Sequence, residues 1–419
     1  MTKQPSSLQD IVQNRLCSGC GACAAMAPDS IMMAETQDEN RRPNIKENIE
    51  RSLEQTIVRA CPGAMSGGSD MSSDVTQAWG PVFEVWEGYA ADENIRYQGS
   101  SGGGVTALSL FALEALDYGG VLHVKARKDQ PTLNEAALST NRSELLEGAG
   151  SRYSPASVCD RLDLVSSAHD KCVFVGKPCD VAGANAVAAH DQKIAENIGL
   201  TISIFCAGTP SHEGTRALLT ALAPKERASL SALKYRGSGW PGDMEATWQD
   251  ETGTVQTKST SYADGWGNIL QKYRQWRCHT CADHTGETAD ISVGDPWQTP
   301  PDGVAHGKSL IVVRTERGRE FMRRAMQAGY IAAESRSPEI LFGAQPNLFV
   351  TKGAVWARSV VSGILGRGAP SLRRDSFACW LRLPLKIKVQ SIVGTAKRVF
   401  TKDLYRSKQT NWLKEGNLL

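Results

Sequence analysis

Gln98-Gly99-Ser100-Ser101-Gly102-Gly103-Gly104 runs directly into Val105-Thr106-Ala107-Leu108-Ser109-Leu110-Phe111-Ala112-Leu113-Glu114-Ala115-Leu116, and Gly119-Gly120 then opens Val121-Leu122-His123-Val124. The first seven residues read as a tight turn, because glycine alone tolerates most turn conformations. The next twelve are apolar helix formers with a glycine stop. The last four read as a buried strand. Upstream, Val82-Phe83-Glu84-Val85-Trp86-Glu87-Gly88-Tyr89-Ala90 reads as a strand as well. Strand, glycine turn, buried helix and strand in that order define an α/β unit. Free backbone N–H groups at the helix start favour an anionic group such as phosphate, although a plain tight turn uses the same residues.

Further strands follow at Lys171-Cys172-Val173-Phe174-Val175, Leu200-Thr201-Ile202-Ser203-Ile204-Phe205, Ala289–Trp297 and Ser309-Leu310-Ile311-Val312-Val313, with a helix from Arg317 to Gly329. No internal repeat interrupts this pattern. The spacing predicts residues 1–66 as a small cysteine-bearing module and 67–78 as a linker rich in Gly and Ser. It predicts 79–165 and 166–345 as two parts of an α/β (α+β) core, and 346–419 as a basic helical tail.

With 419 residues, 41% hydrophobic and 22% charged, the composition is that of a folded globular chain. The formal charge of +2 does not support a whole-protein nucleic-acid binder. No run of eighteen apolar residues is present and Met1–Asp10 has no apolar signal region, so a cytoplasmic protein is expected. A reducing compartment disfavours structural disulfides, so eleven cysteines point to metal or redox chemistry.

Three of them stand in Cys17-Ser18-Gly19-Cys20-Gly21-Ala22-Cys23. This double two-residue spacing is that of the bacterial ferredoxin run C-x2-C-x2-C-x3-C-P. Ala27-Pro28 occupies the place of the fourth Cys-Pro, and a lone Cys61-Pro62 follows later. Cys17, Cys20, Cys23 and Cys61 therefore read as ligands of one [4Fe–4S] cluster, a four-thiolate zinc site being the alternative. Cys179 and Cys206 each follow a strand run, and Cys278-His279-Thr280-Cys281 is a C-x2-C pair. By spacing these four can form a second thiolate site. Cys206 can equally be a buried small hydrophobe, and Cys278 with Cys281 a redox dithiol or half a zinc site. Cys159, Cys172 and Cys379 have no partner in spacing.

The tail differs from the rest. Residues 371–419 hold eleven basic and three acidic side chains, a charge of +8, which leaves the other 370 residues at −6. Val389, Ile392, Val393, Ala396, Val399, Phe400 and Leu404 recur there at helical spacing beside Lys388, Lys397, Arg398 and Lys402. Such a basic amphipathic helix docks on the protein itself, on an acidic partner or on an anionic membrane surface.

Taken together, the motifs Ser100-Ser101-Gly102-Gly103, Gly150-Ser151-Arg152-Tyr153, Gly176-Lys177-Pro178-Cys179, Phe205-Cys206, Tyr235-Arg236-Gly237, Cys278-His279-Thr280-Cys281-Ala282-Asp283 and Ala289–Asp295 are specific. In this order, over roughly residues 80–335, the chain resembles the coenzyme F420 hydrogenase/dehydrogenase beta-subunit family, which includes hydroxymethyl chlorophyll a reductase-like proteins. The resemblance implies a flavin-binding core with FAD and a [4Fe–4S] cluster on Cys179, Cys206, Cys278 and Cys281. It makes Ser100, Ser101, Gly102, Gly103, Gly104, Ser151, Arg152, Lys177, Tyr235 and Arg236 candidate flavin contacts. The N-terminal module resembles those members that take electrons from a ferredoxin-like carrier. The function expected is an iron–sulfur flavoprotein oxidoreductase acting on a small-molecule substrate, through two [4Fe–4S] clusters and FAD. The alternatives are a non-catalytic electron-transfer subunit and a zinc-stabilised interaction protein. Asp283, His284 and Asp295 are candidate proton donors, and Trp240, Trp266 and Trp297 candidate pocket walls.

Overall fold

A computed structural model describes residues 4–36, 40–46, 49–64, 73–222, 230–298, 306–371 and 374–404. Near the N-terminus, β1 (Ile31–Glu35) and β2 (Arg41–Ile45) pair antiparallel between the helices Ala22–Met26 and Arg51–Ala60. Leu8, Ala24, Ala27, Ile31, Met33 and Ile57 form a small core of their own there.

The main sheet takes β3 (Glu84–Ala90), β4 (Gly120–Ala126), β5 (Asn134–Ser139), β6 (Cys172–Gly176) and β7 (Ile198–Ile204). A separate antiparallel sheet of β8 (Leu230–Lys234), β9 (Met244–Gln249) and β10 (Val255–Thr260) follows in the chain. The main sheet is completed by β11 (Ile291–Gly294), β12 (Ser309–Val313) and β13 (Ile331–Arg336), in the order β13-β3-β12-β11-β7-β6-β4-β5. Its centre, β4-β6-β7-β11, is parallel, and both flanks are antiparallel.

The parallel strands read as near-continuous apolar runs because both faces are covered. Val173, Leu200, Ile202 and Ile291 are fully buried on one face with Ala107, Leu108, Leu110 and Phe111 of the Gly104–Ala115 helix. That helix is apolar over most of its circumference and mostly buried from Gly104 to Ala112, with Glu114 and Ala115 reaching solvent at its end. Gly102 and Gly103 turn into it with φ of +63° and +71°. A Cβ on Gly103 would stand 2.7 Å from the Ile95 carbonyl, and one on Gly104 2.5 Å from Ser309 Oγ. These glycines are set by close packing of the turn on β12 and the preceding helix.

Two expectations change. The stretch read as a linker is partly a helix: Asp74–Trp79 starts on a Ser73–Thr76 capping box and buries Ala78 and Trp79. The Gly67-Gly68-Ser69 part and Ser72 lie outside the described residues. The short hydroxylated segment nucleates a helix because both cap donors are satisfied and Trp79 finds a core. In the tail, Leu385–Thr401 is helical, but its buried residues are Ser391, Thr395 and Val399. The apolar stripe read from the sequence mostly faces outward.

Three helices at the end, Pro346–Ile364, Arg374–Leu381 and Leu385–Thr401, pack together, the first of them touching both of the others. Lys352 of the first is buried and reaches Glu287 at 2.7 Å and Asp375 at 3.5 Å.

Candidate functional site

The carboxyl ends of β6, β7 and β11 open on a cavity of about 280 Å³. A crevice beyond the carboxyl ends of parallel strands is where α/β sheets bind ligands, since the loops there diverge. The cavity wall includes Ser100, Ser101, Gly103 and Gly104 from the glycine turn, Ser151 and Arg152, and Lys177, Cys206, Arg236 and Asp295. Gly102 and Tyr235 stand off it. Gly102 packs on Gly307 and Lys308, and Tyr235 is fully buried with its hydroxyl 2.8 Å from Thr215 Oγ1. Of the tryptophans, Trp266 and Trp297 line the wall beside Tyr262. Trp240 packs behind Trp297 with ring centroids 5.2 Å apart.

Asp295 is the hub of this wall. Its oxygens accept from Arg236 Nη1 and Nη2 at 2.8 and 2.9 Å, from Ser101 Oγ at 2.9 Å and from Trp240 Nε1 at 2.8 Å. Arg236 also donates from Nε to the Pro241 carbonyl. All three nitrogens of that guanidinium are therefore engaged by the protein, and the pair frames the wall. Arg152 is similar, donating to Asn134 Oδ1 and to the carbonyls of Leu233 and Pro131. Ser151 donates to Ser100 Oγ at 2.8 Å, joining two loops at the rim.

Ser109 escaped the sequence reading. It lines the cavity, is 1% exposed, and its hydroxyl has no partner among the described residues. A buried hydroxyl without a partner costs about 1–3 kcal/mol unless a ligand completes it. The only trace in the sequence is one polar residue inside Ala107-Leu108-Ser109-Leu110-Phe111.

Behind the cavity the cysteines gather in two neighbourhoods. Cys17 and Cys20 occupy the loop that enters the Ala22–Met26 helix, Cys23 lies in its first turn, and Cys61 ends the Arg51–Ala60 helix. Gly19 and Gly21 carry the turns at φ of +76° and +91°, and a Cβ on Gly21 would stand 2.7 Å from the Asp160 amide nitrogen. The amides of Gly19 and Gly63 point at Cys17 Sγ and Cys61 Sγ at 3.4 and 3.3 Å. Burial pushes Cys61 up to about 12 and Cys23 well above its ordinary value, with Cys17 and Cys20 adding repulsion in both cases.

Cys179 opens the helix after β6, Cys206 follows β7, and Cys278 and Cys281 flank a short turn. Burial pushes Cys206 up to about 12 and Cys281 up to about 11, and each feels Cys278. The Thr209 amide points at Cys278 Sγ at 3.3 Å. Protonated thiols in such places become good ligands only when a metal supplies the compensating charge. Among the described residues no three His, Cys, Asp or Glu side chains stand close enough to share a single metal ion.

Polar atoms around the second group are left over. Arg277 Nη2 donates to the Pro62 carbonyl at 2.5 Å, while its Nε and Nη1 are buried without a partner among the described residues. His284 Nδ1 donates to the Cys206 carbonyl at 2.7 Å, and its Nε2 is likewise buried without a partner. Burial holds His284 down at about 4, so the ring is neutral. The unused Arg277 donors beside buried thiols fit sulfur acceptors of an iron–sulfur cluster, whose potential such hydrogen bonds set, whereas neutral His284, with its proton on Nδ1, presents only an acceptor at Nε2. Asp283 instead accepts from the amides of Thr285, Gly286 and Glu287 and holds its loop. Neither Asp283 nor His284 lines the cavity.

The two groups adjoin. Cys179 feels the charge of Cys20, and a Cβ on Gly183, in the helix that Cys179 opens, would stand 3.3 Å from Cys20 Sγ. Cys159, set aside by spacing, sits here too: its amide donates to the Cys20 carbonyl and its thiol to that of Asp180. No local motif marks it, because the contact with Cys20 spans over a hundred residues. Lys177 lies between the cavity and the second group, 2.6 Å from Asp180. Burial alone would lower its pKa, but Asp180 and the neighbouring thiols raise it, so it stays a cation.

The chain is similar to known proteins over most of its length. Residues 85–163 match the N-terminal part, and residues 169–339 the C-terminal part, of the family described as "Coenzyme F420 hydrogenase/dehydrogenase, beta subunit". The chain is 26% identical to the beta subunit of coenzyme F420 hydrogenase of Methanococcus voltae over 254 residues, 59% of this chain and 82% of that protein. It is 24% identical to a subunit of the F(420)H(2) dehydrogenase of Methanosarcina mazei over 334 residues, 76% of this chain and 84% of that one. A chain of the F420-reducing [NiFe] hydrogenase complex from Methanosarcina barkeri shares the fold, with a TM-score of 0.50 and 19% identity over 83% of this chain and all of that one.

Fold, cavity and relatives together define an oxidoreductase on a mixed α/β scaffold. The chain belongs to the coenzyme F420 hydrogenase/dehydrogenase beta-subunit family.

Proposed function

We propose that this protein is an iron–sulfur flavoprotein that passes electrons between a one-electron, ferredoxin-like carrier and a two-electron, small-molecule substrate. In this reading Cys17, Cys20, Cys23 and Cys61 hold one [4Fe–4S] cluster, Cys179, Cys206, Cys278 and Cys281 a second, and the cavity holds FAD. Residues 1–66 form the ferredoxin-like module, joined through 67–78 to the flavoprotein core of 79–165 and 166–345, with 346–419 as the tail. The observation that carries the proposal is the contiguity of the two thiol groups with the cavity, through Cys20, Cys179 and Cys206.

When bound, such groups supply single-electron transfer at the clusters and conversion to a two-electron, hydride-type delivery at the flavin. The chain's residues do the rest. The N-terminus of the Gly104–Ala115 helix and the Ser100 and Ser109 hydroxyls offer donors to a polar ligand, with Ser151 holding Ser100 in place. Lys177 holds positive charge where negative charge arrives. The Arg236–Asp295 pair fixes the opposite wall, while Tyr262, Trp266 and Trp297 shield it from water.

The relatives named as subunits favour a second reading, an electron-transfer subunit of a larger redox complex. Reduced ferredoxin with a panel of two-electron acceptors separates the two. Product formed by the purified chain alone supports the enzyme; cofactor reduction without any product supports the conduit.

A further inference from the structure

The Leu385–Thr401 helix is inside out. It rests on the protein through Ser391, Thr395 and Val399, each at most 3% exposed. Leu385, Val389, Ile392 and Val393 are 76, 50, 43 and 61% exposed. At 3.6 residues per turn these four share a stripe about 100° wide. Leu381 and Phe377 of the preceding helix are exposed as well, at 53 and 41%. Folding for the monomer's own sake would turn this stripe inward and the hydroxyls outward. A contiguous apolar face that a helix turns away from its own core marks contact with something else.

Charge says what. From Ser376 to Lys402 the chain has six basic residues, Arg382, Lys386, Lys388, Lys397, Arg398 and Lys402, and no acidic one. Lys386 and Lys397 are exposed and fall beside the apolar stripe. Arg398 and Lys402 turn toward the protein, where Arg274 and Arg358 add to the same positive field. Lys388 folds back to the Leu381 carbonyl at 2.8 Å. An exposed apolar stripe with lysines on its border and no carboxylates is how a helix lies in the headgroup region of an anionic bilayer. Among the described residues no helix is long and apolar enough to cross a membrane.

We infer that the Leu385–Thr401 helix docks this oxidoreductase peripherally on an anionic lipid surface, its Leu385–Val389–Ile392–Val393 stripe inserted at the interface. The helix packs on Pro346–Ile364, and Arg15, two residues before Cys17, donates to the Lys402 and Asp403 carbonyls. Docking therefore holds the N-terminal cysteine loop near the membrane.

Cosedimentation of the full-length protein with vesicles tests this. Phosphatidylcholine vesicles containing about one third phosphatidylglycerol should carry the protein down, pure phosphatidylcholine should not, and about 0.5 M salt should weaken binding. The variant Leu385→Ser/Val389→Ser/Val393→Ser should lose at least about tenfold in partitioning, and Lys386→Glu/Lys397→Glu a comparable amount. All five substituted positions are exposed, and unchanged thermal midpoints show that the fold survives. If the variants do unfold, the salt and lipid-composition series on the unaltered protein still decides. No binding to anionic vesicles overturns the proposal, as does binding that both variants retain. A dimer in solution that the serine variant abolishes, without vesicle binding, assigns the face to a second copy and also overturns it.

Discussion

Asp295 and Arg236 show how much a single side chain organises here. The carboxylate accepts four hydrogen bonds from three residues, and Arg236 is 3% exposed. Replacing Asp295 by Asn leaves a buried cation without its counter-charge, which costs about 3–5 kcal/mol. Urea unfolding should show that loss, and the protein should be purified with less bound flavin. A variant as stable as the parent would mean that Arg236 finds another anion. His123 gives a pH dependence. The Val124 carbonyl can only accept, so Nδ1 donates to it at 3.3 Å and Nε2 accepts from Ser139 Oγ at 2.7 Å. Burial holds this imidazole down at about 4, against about 6.5 in an unfolded chain. The unfolded state then binds the extra proton, so stability is full above about 6.5 and falls as pH drops toward 4. Between about pH 7 and 5 the loss from this group is about 2 kcal/mol. Urea midpoints at those two pH values should converge in a His123→Gln variant relative to the parent; an unchanged difference would contradict the assignment.

Among the secondary-structure elements, the turns and the strand ends do the positioning. Gly21 has a left-handed φ of +91° and no room for a Cβ beside Asp160. Gly21→Ala should cost about 1–2 kcal/mol in backbone strain and displace Cys20 and Cys23. Its iron content should fall to about half while the FAD content stays, if each thiol group holds one cluster. Lys352 ties the Pro346–Ile364 helix to Glu287 and Asp375. Lys352→Met removes the buried cation between these two carboxylates and should lower stability by about 3–5 kcal/mol in chemical denaturation. These elements were legible in the sequence to different degrees. The glycine turn and its helix stood out because glycine and an unbroken apolar run leave little choice. The Asp74–Trp79 helix was hidden in a Ser-rich stretch, since a short helix depends on its cap and on a distant core. The tail helix was found, but its orientation was not, because a periodic pattern gives a face and says nothing of what covers it.

For the whole molecule, three features adjoin: an N-terminal thiol group, a second thiol group at strand ends, and a cavity with the unused Ser109 hydroxyl. Spacing exposed the first group through its ferredoxin pattern. The second group needed a resemblance, because Cys179, Cys206 and Cys278 come together only when β6, β7 and the segment before β11 are folded. Cys159, Ser109 and the Arg277 contact with Pro62 needed coordinates outright, since nothing local in the chain marks them. A charge of −6 over residues 1–370 and +8 over residues 371–419 sets the tail apart from the rest of the chain. Everything else depends on eight cysteines in two adjoining groups holding two clusters beside a flavin. Iron, acid-labile sulfide, zinc and FAD should be counted on anaerobically purified protein, parent and Cys61→Ala side by side. About eight irons and one FAD per parent chain are expected, and about four irons with FAD retained in the variant. Colourless protein with stoichiometric zinc and no flavin, or a Cys61→Ala variant with its full iron, would contradict this.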